Sequence, residues 1–138
     1  MSVRFATLTD LNICTQLDLH NDEKFIKRKI EEKEVIVFED TISSTVVACL
    51  KFEYLWTHMP FIGYIVVDEN YRNKGVARNL LSFTQKHLKD KGHNFLLSST
   101  MSNAITSQGW HMKMGFEECG HISAINNGIG ELFYIKKF

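Results

Sequence analysis

The chain has 138 residues, a length that suits one domain built around one hydrophobic core. Hydrophobic residues make up 44% and charged residues 23%, which is the balance of an ordinary globular protein. Sixteen basic residues match sixteen acidic ones, so the formal charge of zero gives no basic footprint for nucleic acid.

The three cysteines, Cys14, Cys49 and Cys119, have a spacing that fits neither a zinc site nor a disulfide framework. We therefore expect small buried thiols in a reducing compartment, and no bound metal. The N-terminal residues lack the basic and apolar regions of a signal peptide, and no apolar run approaches membrane-spanning length. The sequence predicts a cytoplasmic protein with no membrane partner.

In the first half of the chain, hydrophobic periodicity predicts three strands and two helices. In chain order they are a strand at residues 2–6, helices at about 9–19 and 23–32, and strands at 35–38 and 45–56. The second helix is rich in charge, so we expect its polar side chains to form a solvated face. Alternation in the third strand predicts that Phe52, Tyr54 and Trp56 share one face, before a connection at residues 57–61.

The second half of the chain opens with a β-branched run, Tyr64 to Val67, which is typical of a strand covered on both faces. After it we expect a helix at 74–90, a strand at 95–100, a helix at 103–114 and two strands joined by the hairpin signal Asn126-Asn127-Gly128. The element order β-α-α-β-β-β-α-β-α-β-β predicts a mixed α/β (α+β) fold with a single sheet.

The segment that follows the β-branched strand has the features of an anion site. A short polar turn ends at Gly75, where a helix begins. A helix N-terminus leaves its first amides unpaired and carries about half a positive charge, which stabilises an anion. Gly75 has no Cβ, so an anion can approach the backbone closely, and Arg72 and Lys74 add positive charge. The alternative is an ordinary basic loop that starts a helix.

Two segments of the chain together resemble the GNAT acetyltransferase superfamily. The first is Val67-Asp68-x-x-Tyr71-Arg72-x-Lys74-Gly75-x-Ala77-x-x-Leu80-Leu81, and the second is His111-x-Lys113-x-Gly115-Phe116. The close match covers about 63–81 and 104–116. The resemblance implies one domain with a mixed, mostly antiparallel central sheet of six to seven strands, flanked by about four helices.

The same resemblance implies that acetyl-CoA is the co-substrate. Backbone groups of Ile65, Val66 and Val67 would bond the acetyl carbonyl and the pantetheine arm. The pyrophosphate would lie on the amides of the turn, namely Arg72, Asn73, Lys74, Gly75, Val76 and Ala77. The strands at 63–68 and 95–100 would splay apart, with the pantetheine arm between them.

The chain departs from the family pattern at Ala104, where relatives often have Asn, and at His111, where they often have Tyr. Ala104 cannot bond the pantetheine arm, so Asn103, Thr106 or Ser107 would have to replace it. By its aligned position His111 is the candidate acid that protonates the departing thiolate, because imidazole ordinarily titrates near neutrality. The alternative is that His111 merely packs at the end of its helix.

No general base is evident in the sequence. The strand from Phe61 to Val67 offers no titratable side chain except Tyr64. Glu53, His58 and Asp68 are near in sequence, and we interpret each of them as a solvated surface residue. A water relay, or an amine that arrives already neutral, would remove the need for a base.

For the acceptor, the resemblance points to the first two helices and to the residues before the central strand. Tyr54, Trp56 and His58 are the candidates for a partly apolar acceptor pocket, together with residues 20–22 and Phe25. The implied reaction moves an acetyl group to a primary amine of a small molecule or peptide, by direct attack in a ternary complex. The alternative is a non-catalytic acyl-CoA-binding or sensing module. A homodimer through the C-terminal strands is suggested by the resemblance alone.

Overall fold

A computed structural model describes residues 2–138. Its strands are β1 (Ser2–Phe5), β2 (Val35–Asp40), β3 (Thr45–Leu55), β4 (Met59–Val67), β5 (Phe95–Met101), β6 (Glu117–Ile122) and β7 (Glu131–Lys137). Its α-helices are α1 (Leu11–Leu17), α2 (Glu23–Glu31), α3 (Val76–Asp90) and α4 (Ile105–Lys113). Short 3-10 helices at Leu8–Asp10 and Glu69–Tyr71 precede α1 and α3.

Over residues 2–138 the seven strands form one mixed, mostly antiparallel sheet in the order β1-β2-β3-β4-β5-β7-β6. The pair β4 and β5 is parallel and has Phe61 opposite Leu97. The predicted fold class and order of elements are confirmed. The chain also divides into two compact units, the first made of residues up to Glu53 with Gly63–His87, the second of Tyr54–Ile62 with Leu88–Phe138.

In the first unit, the apolar stripes of α1 and α2 close a core over the inner strands. The buried residues of this core are Ala6, Cys14, Ile26, Ile30, Val35, Val37, Val46 and Cys49. β1 pairs antiparallel with β2, and β2 pairs antiparallel with β3, with a register shift between Phe38 and Glu39 of β2. Apolar burial of this kind supplies most of the favourable free energy of folding.

Two successive contacts join α1 to β3 within this core. Cys14 on α1 and Asp18, the C-cap residue four positions later, meet Cys49 and Lys51, which share one face of β3. The Cys14 thiol lies against Cys49, and this contact together with burial raises the pKa of the Cys49 thiol. The Lys51 ammonium donates to Asp18 over 2.6 Å, with the two side chains 6% and 2% exposed. The end of α1 is thus held by a buried ion pair.

The expectation of a solvated polar face on α2 is wrong at one position. Lys29 is buried, because its ammonium donates to the Glu34 carboxylate and to the Phe52 carbonyl, each over 2.6 Å. The neighbouring charges Lys27 and Arg28 are exposed, as expected. A charge pattern cannot show which lysine has buried partners, since those partners come from other elements.

The connection expected at residues 57–61 is instead a tight turn, and β4 begins at Met59. Trp56 and Thr57 have φ of 50° and 68°, and the His58 amide donates to the Leu55 carbonyl over 3.2 Å. The prediction that Trp56 shares a strand face with Phe52 and Tyr54 is therefore wrong. The turn takes Trp56 out of β3 and leaves its side chain 79% exposed.

Two further expectations change in detail. Helix α1 ends at Leu17 rather than Leu19, because Asp18 has extended backbone and its carboxylate is bonded to Lys51. The β-branched run from Tyr64 to Val67 is half-buried along its whole length, so it is not a strand covered on both faces. This part of β4 keeps apolar surface exposed.

The second unit is built on the antiparallel strands β5, β7 and β6, with α4 joining β5 to β6. The hairpin expected at residues 126–128 joins β6 to β7, but its loop is longer than a two-residue turn and extends over residues 123–130. All residues of β6, the last strand in the sheet order, are exposed. Among residues 2–138 no helix combines the length and apolar character needed to cross a bilayer.

Candidate functional site

The turn after β4 is fixed in place by three hydrogen bonds from its own side chains. The Asp68 carboxylate accepts from the Asn70 amide over 2.9 Å and caps the 3-10 helix. The Tyr71 hydroxyl donates to Asp40 at the end of β2 over 2.8 Å, and Arg72 Nε donates to the Val67 carbonyl over 3.1 Å. The backbone from residue 72 onward is therefore pre-organised.

The backbone of this turn curls so that successive amides converge. Asn73 and Gly75 both have left-handed backbone, with φ of 60° and 80°. Asparagine and glycine are the residues that adopt this conformation most readily. The Asn79 amide donates to the Gly75 carbonyl over 3.0 Å, which leaves the amides of Val76, Ala77 and Arg78 outside the helical ladder. Such a concave run of amides binds anions.

The surface of the turn is open and basic. Arg72, Asn73, Lys74 and Gly75 are exposed, and a Cβ built on Gly75 would meet no atom within 4 Å. The Lys74 ammonium lies over the Tyr71 ring, 5.6 Å from its centroid. Helix α3 begins at Val76, two residues later than expected, so Lys74 belongs to the turn rather than to the helix. These residues fit a doubly charged phosphate group.

Three residues of β4, Ile65, Val66 and Val67, are the ones whose backbone was predicted to hold the acetyl and pantetheine groups. All three are half-buried. The Val66 side chain packs against the core under α1 and α2, so this stretch is anchored to the first unit. The exposed Gly63 precedes it.

His111, the predicted proton donor, is buried in the second unit and only 3% exposed. Its Nδ1 is 2.7 Å from the Ser107 carbonyl, and its Nε2 is 2.7 Å from the Ser98 hydroxyl. The ring stacks on Tyr134 at 4.6 Å and meets the edge of Phe116 at 5.3 Å. Because a carbonyl only accepts, Nδ1 carries the proton and Nε2 accepts from Ser98.

Burial lowers the pKa of His111, and the bond to the Ser107 carbonyl opposes this only in part. The imidazole is therefore neutral near neutral pH, with both nitrogens engaged inside the fold. This geometry favours a structural role for His111 over the predicted role as proton donor.

The two other predicted contacts of the second unit stand at the start of α4. Asn103 is exposed in the turn before the helix, and Ser107 is half-buried in its first turn. Ala104 is the N-cap residue and offers no side-chain bond to the helix, so the departure from the family pattern also leaves α4 without a side-chain cap.

Comparison with known families decides which group this chain belongs to. The model of the acetyltransferase (GNAT) family matches residues 5–116. The chain belongs to the GNAT family. A comparison with curated protein sequences gives no match.

Solved structures show the same GNAT fold. A GNAT family acetyltransferase from Bacillus cereus ATCC 10987 has a TM-score of 0.83 and 24% identity, over 99% of this chain and 96% of its own. The ribosomal-protein-alanine N-acetyltransferase from Brucella melitensis has a TM-score of 0.83 and 20% identity, over 100% of both chains. The protein yncA from Salmonella typhimurium, solved with its cofactor acetyl-CoA, has a TM-score of 0.82 and 17% identity, over 99% and 93%.

In this GNAT protein, the predicted acceptor residues Tyr54, Trp56 and His58 lie at the β3–β4 turn of the second unit. Tyr54 is half-buried against the His93 ring, 5.6 Å between centroids. His58 is exposed, and its Nδ1 lies 2.7 Å from the Trp56 carbonyl. The three are near each other in the chain, but Trp56 lies in the turn beyond β3 and is exposed, so it does not share a strand face with Tyr54.

Among the base candidates, Asp68 is engaged in capping and His58 in its own turn. Tyr64 is half-buried, and burial followed by the nearby Asp18 carboxylate raises the pKa of its hydroxyl. Glu53 differs from these, because its carboxylate lies against the backbone of Gly63. Within residues 2–138 no group of three or more His, Cys, Asp or Glu side chains is arranged to hold a metal ion.

Substitution of His111 by phenylalanine should cost about 1–3 kcal/mol of unfolding free energy, because the buried Ser98 hydroxyl loses its partner. Acetyl transfer per folded molecule should change by less than about 5-fold, whereas loss of a general acid would cost about 100-fold or more.

Because the pKa of His111 is lowered in the folded state, its contribution to wild-type stability is fully present above about pH 6.5. This contribution decreases below that pH, as the imidazole of the unfolded chain takes up a proton.

Denaturant unfolding at pH 7.5 and 5.5, together with thiol release from acetyl-CoA, separates these roles. His121→Phe is the matched control, since His121 also bonds a serine hydroxyl, Ser102 at 2.9 Å, but is exposed. A His111 variant that keeps its stability but loses turnover would restore the proton-donor assignment.

Proposed function

We propose that this protein transfers an acetyl group from acetyl-CoA to a primary amine. The observation that carries the proposal is the pre-organised turn at residues 72–77, in a chain that belongs to the GNAT family. The turn has the features of a pyrophosphate site. It contains left-handed residues, amides that make no helical hydrogen bond, and two exposed cations. The acetyl-CoA bound to yncA supports the same co-substrate.

In the proposed complex, the pyrophosphate bonds the amides between Arg72 and Ala77, and the Arg72 and Lys74 cations offset its charge. Val67 directly precedes Asp68, the residue that caps the turn, so the half-buried stretch from Ile65 to Val67 continues from the anion site along β4. Its backbone is the proposed binding edge for the pantetheine arm and the acetyl carbonyl.

The proposed reaction is direct attack in a ternary complex. The neutral amine nitrogen attacks the thioester carbonyl carbon, the carbon–nitrogen bond forms and the carbon–sulfur bond breaks. The nitrogen loses a proton and the departing thiolate gains one, so the products are an acetamide and free CoA thiol. His111 is left out of this scheme, because both of its nitrogens are bonded within the second unit.

For the acceptor we propose an amine carried by a small molecule or by a peptide N-terminus. The relative from Brucella melitensis is a ribosomal-protein-alanine N-acetyltransferase, which supports a peptide amine. The exposed Trp56 offers apolar contact surface for either kind of acceptor.

A thiol-release screen tests the proposal. The purified protein is incubated with acetyl-CoA and a panel that contains spermidine, free amino acids and short peptides with varied N-terminal residues. Release of thiol that depends on one of these amines, with the acetylated product seen by mass spectrometry, is the expected result. CoA binding without turnover across the panel would favour the sensing module, and no affinity for acetyl-CoA would refute both functions.

A further inference from the structure

Gly63 lies inside strand β4, and a neighbouring side chain leaves no room for a Cβ at this position. A Cβ at this position would stand 2.6 Å from the Glu53 Oε1 atom, closer than any real contact allows. The Lys51 carbonyl would be 3.7 Å away, an ordinary distance. A glycine in a strand interior often marks a close approach of this kind. Here the approaching group is a carboxylate.

The Glu53 carboxylate has no partner in the described part of the chain, unlike the carboxylates of Asp18, Glu34 and Asp40. Asp18 is bonded to Lys51, Glu34 to Lys29, and Asp40 to Tyr71. Among residues 2–138, the Glu53 carboxylate has no hydrogen-bond or ion-pair partner, and the residue is exposed. Its carboxylate is therefore available to a ligand, and the missing Cβ of Gly63 leaves room for it beside β4.

Glu53 is also near the part of β4 proposed to hold the acetyl group. Ile65 and Val66 follow Gly63 by two and three residues, roughly 7–10 Å along an extended strand. An amine seated between this stretch and Glu53 would bond the carboxylate directly or through one water molecule, the two arrangements in which a general base works. The nearest other charge on β3 is Lys51, which Asp18 neutralises.

We propose that Glu53 is the catalytic base that receives the ammonium group of the acceptor and takes its proton before attack. This inference rests on the proposed acetyl transfer. The ammonium nitrogen gives one proton to the carboxylate, its lone pair then attacks the thioester carbon, and the carbon–sulfur bond breaks. The carbon–nitrogen bond has then formed, and the nitrogen loses its second proton, which the departing thiolate takes. The proton on Glu53 passes to solvent.

Two variants that act in different ways test the kinetic role. Glu53→Gln removes the charge, and Gly63→Ala keeps the charge but displaces the carboxylate, which can move because it ends a flexible side chain. Both should lower kcat/KM for the best amine of the screen, about 100-fold for the first and less for the second. The defect should shrink as the pH rises and the amine arrives neutral, a response that a structural role would not give.

A binding experiment tests the same inference without knowledge of the natural acceptor. S-(2-aminoethyl)-CoA presents an ammonium group next to the sulfur, and S-ethyl-CoA is its uncharged counterpart. Calorimetry should show that the wild type binds the ammonium compound about 2- to 5-fold more tightly. This preference should disappear in Glu53→Gln, while the affinity for S-ethyl-CoA stays unchanged.

The outcomes separate this inference from the proposed function. If the wild type binds neither thioether, acetyl-CoA chemistry itself is refuted, and the role of Glu53 with it. If both thioethers bind equally well to the wild type, only the role of Glu53 is overturned. Glu32→Gln, which changes an exposed carboxylate at the end of α2, is the control and should leave turnover and both affinities at wild-type values.

Discussion

Replacing Gly75 with aspartate is expected to weaken CoA binding by about 100-fold, through the loss of a charge-assisted hydrogen bond worth about 1.5–3 kcal/mol and added repulsion. Gly75 is the last residue of the turn, and a side chain at this position would meet no other atom within 4 Å of its Cβ. An aspartate here would place a carboxylate where the proposed pyrophosphate approaches the amides of Val76 and Ala77.

Backbone strain alone cannot produce this loss, and a second glycine allows that to be checked. Gly92, just after α3, also has left-handed backbone, with φ of 93°, and an open surface. Gly92→Asp therefore carries a similar cost of about 1–2 kcal/mol for an L-residue in that conformation, away from the proposed anion site. Calorimetric titration with CoA should show near wild-type affinity for Gly92→Asp. Equal affinities of the two variants would refute the anion site.

Replacing Lys51 with methionine is expected to lower the unfolding free energy by about 3–5 kcal/mol, or the melting temperature by about 10–15 °C. The substitution leaves the Asp18 carboxylate buried without its ammonium partner. The aromatic rings of Phe25 and Tyr64, which lie 5.1 and 5.7 Å from the Lys51 ammonium, lose their cation as well.

The pH dependence of this loss follows from Asp18. Burial by itself would raise the pKa of that carboxyl, but hydrogen bonds from Lys51 and from the His20 amide leave it lowered overall. A lowered folded pKa gives stability that is present above the unfolded value, about 3.9, and is lost as the pH falls below it. The difference between wild type and Lys51→Met should therefore shrink below about pH 4.

Denaturant unfolding with two further variants checks the origin of the effect. The double variant Asp18→Asn, Lys51→Met removes both charges and should recover much of the lost stability. Lys27→Met on the exposed face of α2 should change stability by less than about 0.5 kcal/mol. A loss for Lys51→Met no larger than that for Lys27→Met would mean that the buried pair contributes nothing.

The fold and the left-handed conformation of the turn at residues 72–77 could be predicted because their signals are local. Apolar periodicity indicates each helix and strand without reference to the rest of the chain. The left-handed positions of the turn are occupied by Asn73 and Gly75, residue types that favour them. The main error of element placement is the extension of β3 to Trp56. Trp56 and Thr57 form a turn with positive φ, and neither residue type favours that conformation.

The assignment of single polar residues could not be predicted in the same way. By its aligned position His111 is the candidate acid, and Glu53, interpreted as a solvated surface residue, is exposed in the structure. The fold surrounds His111 with Ser98, Ser107 and Tyr134, and it lays Glu53 against Gly63. In the sequence, only Gly63 in β4 points to Glu53. A glycine in a strand indicates that some group approaches the backbone closely, but not which group it is.

The order of elements, the GNAT resemblance and the turn at residues 72–77 follow from the amino-acid sequence alone. These depend on spacing along the chain and on the backbone preferences of Asn and Gly. Which charged side chains have a partner and which do not depends on contacts between distant parts of the chain. Lys51 and Asp18 are 33 residues apart, and Glu53 and Gly63 lie on different strands. The burial and partner of a charge, which set its pKa and its reactivity, arise from packing between elements that the sequence does not show to be neighbours.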